Sequence, residues 1–167
     1  MNLSRLDSIH RQLTTYLSEL SDDVFVRRAT EGEWSVGEVV EHLCLVEARV
    51  LASLKTNIAL DPVKIPFRKR LIPMRLISYR FFKVEAPKAV RPMESLSKSE
   101  LLNQFETVRA STKEFCSQHD TGRLKQTAFT HPFLGLIDGT AAISMVAYHE
   151  QRHFKQIREI VSRLPRL

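Results

Sequence analysis

The chain has 167 residues, 43% of them hydrophobic, with 5 Gly, 7 Pro, 2 Cys and a formal net charge of +6. That length supports one domain over 1–167, and the shortage of turn formers argues against a sandwich or barrel of many short strands. Two isolated cysteines exclude a disulfide framework, the charged N-terminus is no secretion signal, and no stretch approaches the roughly 20 apolar residues of a membrane span, so a reducing, cytoplasmic setting is expected.

Residues 3 to about 20 place Leu3, Leu6, Ile9, Leu13, Tyr16, Leu17 and Leu20 at steps of three and four, which predicts an amphipathic helix. Ser21-Asp22-Asp23 interrupts it, and residues 22–34 have room for one short helical turn. Ser35 with Glu38 three residues later is the signature of a capping box. Val36, Val39, Val40, Leu43 and Val46 then continue at helical spacing to about Leu60, where Asp61-Pro62 stops the second helix. Trp34 stands where a hydrophobic staple would pack.

Residues 61–96 read as an insert, cut into short pieces by Pro62, Pro66, Pro73, Pro87 and Pro92, with only Met74 to Lys83 free to form a short helix. Between Lys64 and Arg91 there are nine Lys/Arg and a single acid, Glu85, so this window carries +8 and the rest of the chain is slightly acidic. Aromatics interleave with the cations. Three readings follow: a helix laid over the fold with its cations in water, a surface for nucleic-acid phosphates or an anionic membrane, or a lid whose Arg68, Lys69 and Arg70 recruit an anionic thiol cofactor.

A third helix is predicted from Ser97, which with Glu100 forms another capping box; Leu101, Leu102, Phe105, Val108 and Phe115 line one side. Residues 117–140 read as loop, and Asp138 is placed to cap a fourth helix over about 139–163, ended by Pro165. Four amphipathic helices predict an all-α four-helix bundle with a basic insert between its second and third helices, the long connections leaving room for crossovers.

The chemistry concentrates in His149-Glu-Gln-Arg-His153. Two histidines four residues apart leave the same helix face, one turn apart. With Ala142, Val146, Ile157, Ile160 and Leu164 they form one stripe, which predicts that both rings face the interior. Buried imidazoles need partners for their ring nitrogens, and a metal ion serves both. His42, among Val39, Leu43 and Val46 on the second helix, is the candidate third ligand. Three neutral imidazoles suit Zn or Ni, with Fe or Cu as alternatives, and leave a coordination position open. The competing reading is core histidines bonded to carbonyls or carboxylates.

Trp34-Ser35-x-x-Glu38-x-x-x-His42, then His131-Pro132-x-x-Gly135, then His149-x-x-x-His153-x-x-Gln156-Ile157 resembles the DinB-like family of metalloproteins over roughly residues 1–60 and 95–160. The resemblance implies a four-helix bundle in which three histidines, carried over by motif to His42, His149 and His153, bind a divalent metal. It implies thiol-dependent transferase or isomerase activity, or metal-dependent hydrolysis, on a small-molecule substrate. Glu47, at a position often acidic in the family, would orient a ligand histidine, serve as a base or be solvated. The insert has no counterpart in the resemblance.

Three functions therefore compete. One is an enzyme whose metal activates a low-molecular-weight thiol for S-transfer or a water for hydrolysis. The second is a non-catalytic metal-binding or homodimerising bundle in which the same three histidines tie two helices together. The third is a scaffold for a basic insert that contacts nucleic acid or membrane. Neither Cys44 nor Cys116 sits in a nucleophile motif, so a thiol would come from outside the chain. Arg152 and Gln156 are expected to bond to neighbouring helices, His131 to be a turn residue, and His10 and His119 to lie on the surface.

Overall fold

Six α-helices and one β-hairpin make up the regular structure of the residues that the computed structural model describes: 3–66, 87–93, 96–132 and 134–165. The helices are α1 (Leu3–Glu19), α2 (Asp22–Val26), α3 (Val36–Ile58), α4 (Lys98–Gln118), α5 (Thr121–Lys125) and α6 (Gly139–Arg163). A 3-10 turn at Lys88–Val90 precedes α4, and the strands β1 (Ala128–His131) and β2 (Gly135–Asp138) precede α6. The predicted helix at Met74 to Lys83 and the cations Arg68, Lys69 and Arg70 lie outside the described residues.

The long helices start where their caps dictate. Ser35 and Ser97 each accept the N–H of the Glu three residues on, while that carboxylate takes the serine's own N–H, at 2.7 Å for Glu38 and 2.8 Å for Glu100. Each box satisfies two backbone donors that the first turn would otherwise leave bare, an effect of about 1 kcal/mol. Asp138 caps α6 through the Ala141 N–H at 2.9 Å. Gly37 has a spatial reason: a Cβ there would stand 3.0 Å from the Phe25 ring, so the glycine lets α2 press against the first turn of α3.

The segment 117–140, expected to be loop, holds α5 and an antiparallel hairpin with Phe129 opposite Ile137 and His131 opposite Gly135. Strands of four residues carry too little alternation to be distinguished from turn, and the pairing is supplied by the bundle beneath. Phe129 and Ile137 are buried in the core, and the Asn57 side chain on α3 donates to the Ala128 carbonyl at 2.8 Å. Gly135 takes a φ of +67°, a left-handed conformation that glycine adopts without steric cost.

The four long helices form a four-helix bundle. Its most extensive pairings are α3 with α4, α3 with α6, and α1 with α6. The helices α1 and α3 follow one another in the chain but are not among these pairs, so the bundle departs from simple up-down order. Its core is in two parts. One contains Leu6 and Ile9 of α1, Val50, Leu51 and Leu54 of α3, Phe115 of α4 and Ile143, Val146 and Ala147 of α6. The other contains Leu13 and Leu17, Val40, Leu43 and Cys44, Leu101 and Phe105, and Ile157 and Ile160 from the same four helices. Between them, at mid-height, every long helix turns an ionisable side chain inward: His10, Glu47, Arg109 and Glu150, all buried. No described helix is long and apolar enough to cross a membrane.

Candidate metal centre

Beside this polar layer, α3 and α6 bring three histidines together. The ring of His42 lies 5.2 Å from that of His149 and 4.9 Å from that of His153, and the last two are 4.4 Å apart, centroid to centroid. One nitrogen from each ring falls within 4.8 Å of the other two. A gap of more than a hundred residues between His42 and His149 is thus closed by packing of α3 on α6. His42 and His153 are buried, whereas His149 keeps some contact with solvent.

Hydrogen bonds set which nitrogen each ring presents. His42 Nδ1 lies 2.6 Å from the Val90 carbonyl. A carbonyl only accepts, so Nδ1 carries the proton and Nε2 keeps its lone pair. His153 donates Nδ1–H to the Gln156 side-chain oxygen at 2.8 Å, and its Nε2 stands 3.1 Å from Nε2 of His149. The indole of Trp34 packs against the other side of His42, with ring centroids 5.0 Å apart.

This donor set fits a divalent ion. Two imidazole nitrogens each about 2.1 Å from a shared ion stand about 3.0–3.4 Å apart as the angle between them opens from a right angle to tetrahedral. The 3.1 Å between His149 and His153 falls in that interval. Two of the rings are also biased toward the neutral form that a ligand must have. Burial pushes His42 below the ordinary histidine value. Burial, then the neighbouring His153 and His42, holds His149 well below it.

The polar layer is organised by Arg109. Its Nε and Nη2 grip both oxygens of Glu47 at 2.9 and 2.8 Å, Nη2 also reaches Glu150 at 2.7 Å, and Nη1 donates to the Leu6 carbonyl at 2.9 Å. One guanidinium on α4 thereby ties α1, α3 and α6 together. Burial disfavours its charge, but the bonds to Glu47 and Glu150 prevail and hold it above its ordinary value. On the far side of Glu150, His10 lies 3.4 Å from that carboxylate and 3.1 Å from Glu106.

The structure therefore brings His42, His149 and His153 together and places Glu47 with Arg109, not with any of these histidines. His10, expected at the surface, is buried and its ring packs 4.5 Å from Phe105. Gln156, expected to reach a neighbouring helix, bonds to His153 on its own helix. His131, expected to be a turn residue, is the last residue of β1, and its Nδ1 accepts the Leu134 N–H at 3.1 Å. Of the anticipated stripe on α6, Ala142, Val146, His153, Ile157, Ile160 and Leu164 are buried as expected; His149 lies at its edge, and the neighbouring Glu150 is buried as well. Arg109, Glu150 and the Val90 carbonyl escaped the reading of the sequence. The first two had a signal, since each charge falls on its helix's apolar spacing; the carbonyl, lying in the insert, had none.

The two cysteines are poor nucleophiles. Burial, reinforced by Glu47, raises the Cys44 thiol to about 12 and the Cys116 thiol to about 11, so both stay protonated at neutral pH.

Comparison with known proteins agrees with this architecture. Residues 5–157 match the family model of the DinB superfamily. The uncharacterised protein YuaE of Bacillus subtilis (strain 168) is 26% identical over 155 residues, covering 90% of this chain and 91% of that one. Among solved structures, the four-helix bundle protein TT2238 superposes with a TM-score of 0.64 at 23% identity, over 94% of this chain and 95% of its own. YfiT of Bacillus subtilis, described as a probable metal-dependent hydrolase with an unusual four-helix bundle topology, superposes with a TM-score of 0.66 at 17% identity, over 96% of this chain and 83% of its own. At these identities the likeness establishes the fold.

Proposed function

The chain belongs to the DinB superfamily, and from that premise we propose that it is a metal-dependent enzyme with His42, His149 and His153 as the ligands of one divalent ion. The observation that carries this reading is the convergence of three imidazoles, with the His42 proton committed to Val90 and the His153 proton to Gln156. A bound divalent ion with a vacant position supplies Lewis acidity, lowering the pKa of a water or thiol and polarising an electrophile.

The residues of the chain do the rest. His42 and His153 are oriented by partners that fix their tautomers, as outer ligands commonly do. Trp34 restrains the His42 ring by packing. The apolar side chains above and below the polar layer keep bulk water from the buried side of the site. Glu47 acts at one remove, holding α3 in place through Arg109. Neither cysteine offers a thiolate, which supports an external nucleophile, either water or a low-molecular-weight thiol. Water is the reading we favour, by analogy with the description of YfiT.

The test is metal analysis of untagged protein followed by an activity screen. Stoichiometric metal in wild type, lost in His149→Ala and His42→Ala, supports the site; no uptake of Zn, Ni, Co or Fe by the wild type refutes it. Hydrolysis of activated esters or amides that depends on the metal supports the first chemistry, and consumption of added thiol with an electrophile supports the second.

A further inference from the structure

The C-terminal end of the insert, residues 87–93, is fastened to α3 at two adjacent residues. The Val90 carbonyl takes the His42 Nδ1–H at 2.6 Å, and the Met93 backbone N–H donates to Glu41 Oε1 at 2.8 Å. Glu41 is buried, and so is Val90. The turn is itself braced, because the Val90 N–H bonds to the Pro87 carbonyl at 3.0 Å and the Arg91 N–H to the Lys88 carbonyl at 3.3 Å. The side chain of Met93 is 87% exposed, so α3 holds its backbone and not its side chain. A carboxylate buried on the bundle surface, next in sequence to a ligand histidine, is thereby spent on the main chain of the insert. A charged acceptor makes this bond stronger than a neutral one would be.

We propose that Glu41 is a positioning residue of the metal centre: by gripping the Met93 N–H it seats the Val90 carbonyl on His42, which fixes that ring with Nε2 directed at the ion. The inference rests on the metal reading above. It gives the insert a role in the site different from the lid that its sequence suggested. The geometry behind it is a relay of two hydrogen bonds through four residues of main chain. Glu41 does not have to touch ion or substrate.

The experiment uses the full chain as wild type, Glu41→Ala, Glu41→Gln and Met93→Pro. Met93→Pro deletes the N–H from the other side of the same bond and replaces an exposed side chain. Zinc affinity is read by competition with a chromophoric chelator, and the tautomer of His42 by long-range proton–nitrogen NMR on metal-free protein. Glu41→Ala and Met93→Pro are expected to weaken zinc binding roughly 10–100-fold, as loss of an outer-shell partner does, while Glu41→Gln, which keeps an oxygen acceptor, stays within about threefold of wild type. In the two disrupting variants the His42 Nδ1–H signal gives way to a mixture of tautomers.

Zinc binding within about threefold of wild type in both disrupting variants, with the Nδ1–H form intact, overturns the proposal. So does a loss confined to Glu41→Ala with Met93→Pro like wild type, because that pattern reflects the charge of the carboxylate and not the relay. If Glu41→Ala does not fold, Met93→Pro and Glu41→Gln decide between the same outcomes. A wild type that takes up no metal sinks the metal reading instead; the tautomer comparison, made without metal, then still decides whether Glu41 positions His42.

Discussion

Replacing Arg109 by Met is the severest test of how the bundle is held. The guanidinium donates four hydrogen bonds, to both oxygens of Glu47, to Glu150 and to the Leu6 carbonyl. Methionine fills much of its volume but leaves Glu47 and Glu150, 2% and 1% exposed, without their cation. Removing one partner of a buried ion pair costs about 3–5 kcal/mol, chiefly because the charge left behind cannot regain water. Against the roughly 5–15 kcal/mol that holds a typical domain folded, this is a large fraction. At roughly 2–4 °C per kcal/mol for a chain of this size, a loss of about 4 kcal/mol lowers Tm by about 8–16 °C. The assay is urea unfolding followed by far-UV circular dichroism, with the slope checked to be unchanged. A second variant separates the stranded charges from the lost packing: Arg109→Met with Glu47→Gln and Glu150→Gln replaces both carboxylates by amides and is expected to recover at least half of the loss. An Arg109→Met protein within about 1 kcal/mol of wild type, or a triple variant no better than the single, would refute the reasoning, because the charges would then not be desolvated as described.

Three further outcomes are expected. His42 and His149 both lie below the ordinary histidine value near 6.5, so their neutral forms favour the folded state; that stability is present above about pH 6.5 and is lost as pH falls through the folded values. In chelator-treated protein the urea midpoint should fall between pH 7 and 5 more steeply in wild type than in His149→Gln, and equal slopes would contradict the assignment. Cys44 and Cys116, raised to about 12 and about 11, should resist iodoacetamide at pH 8 in the native protein and react promptly in urea; rapid native labelling would show that burial does not protect them. Ser97→Ala removes the side-chain half of a capping box and should cost about 1 kcal/mol in urea unfolding, with Ser97→Gly costing less.

What could be read from the sequence was whatever repeats along a helix or stands at its end. Leu6, Ile9, Leu13 and Leu17 gave α1; Ser35 with Glu38 and Ser97 with Glu100 gave the starts of α3 and α4; Asp138 gave the start of α6. Each of these is a short-range relation, satisfied by the chain within a turn or two of itself. The spacing of His149 and His153 is of the same kind. The sequence alone did not suffice for the hairpin at 128–138, whose four-residue strands owe their pairing to the core they cover.

The charged layer lies between these two cases. His10, Glu47, Arg109 and Glu150 each occupy an apolar spacing on their own helix, which was visible one helix at a time. That they meet at one height, so that one guanidinium satisfies two carboxylates and a carbonyl, depends on how four helices pack side by side. The same holds for the site. Residue type and spacing could nominate three ligands, but only the packing of α3 on α6 brings His42 to the other two, and only the return of the insert at Val90 decides which nitrogen of that ring is left to bind. A hydrogen bond to a backbone carbonyl is indifferent to the side chain that carries it, so a bond of that kind leaves no mark in the order of residues and is fixed by the tertiary structure alone.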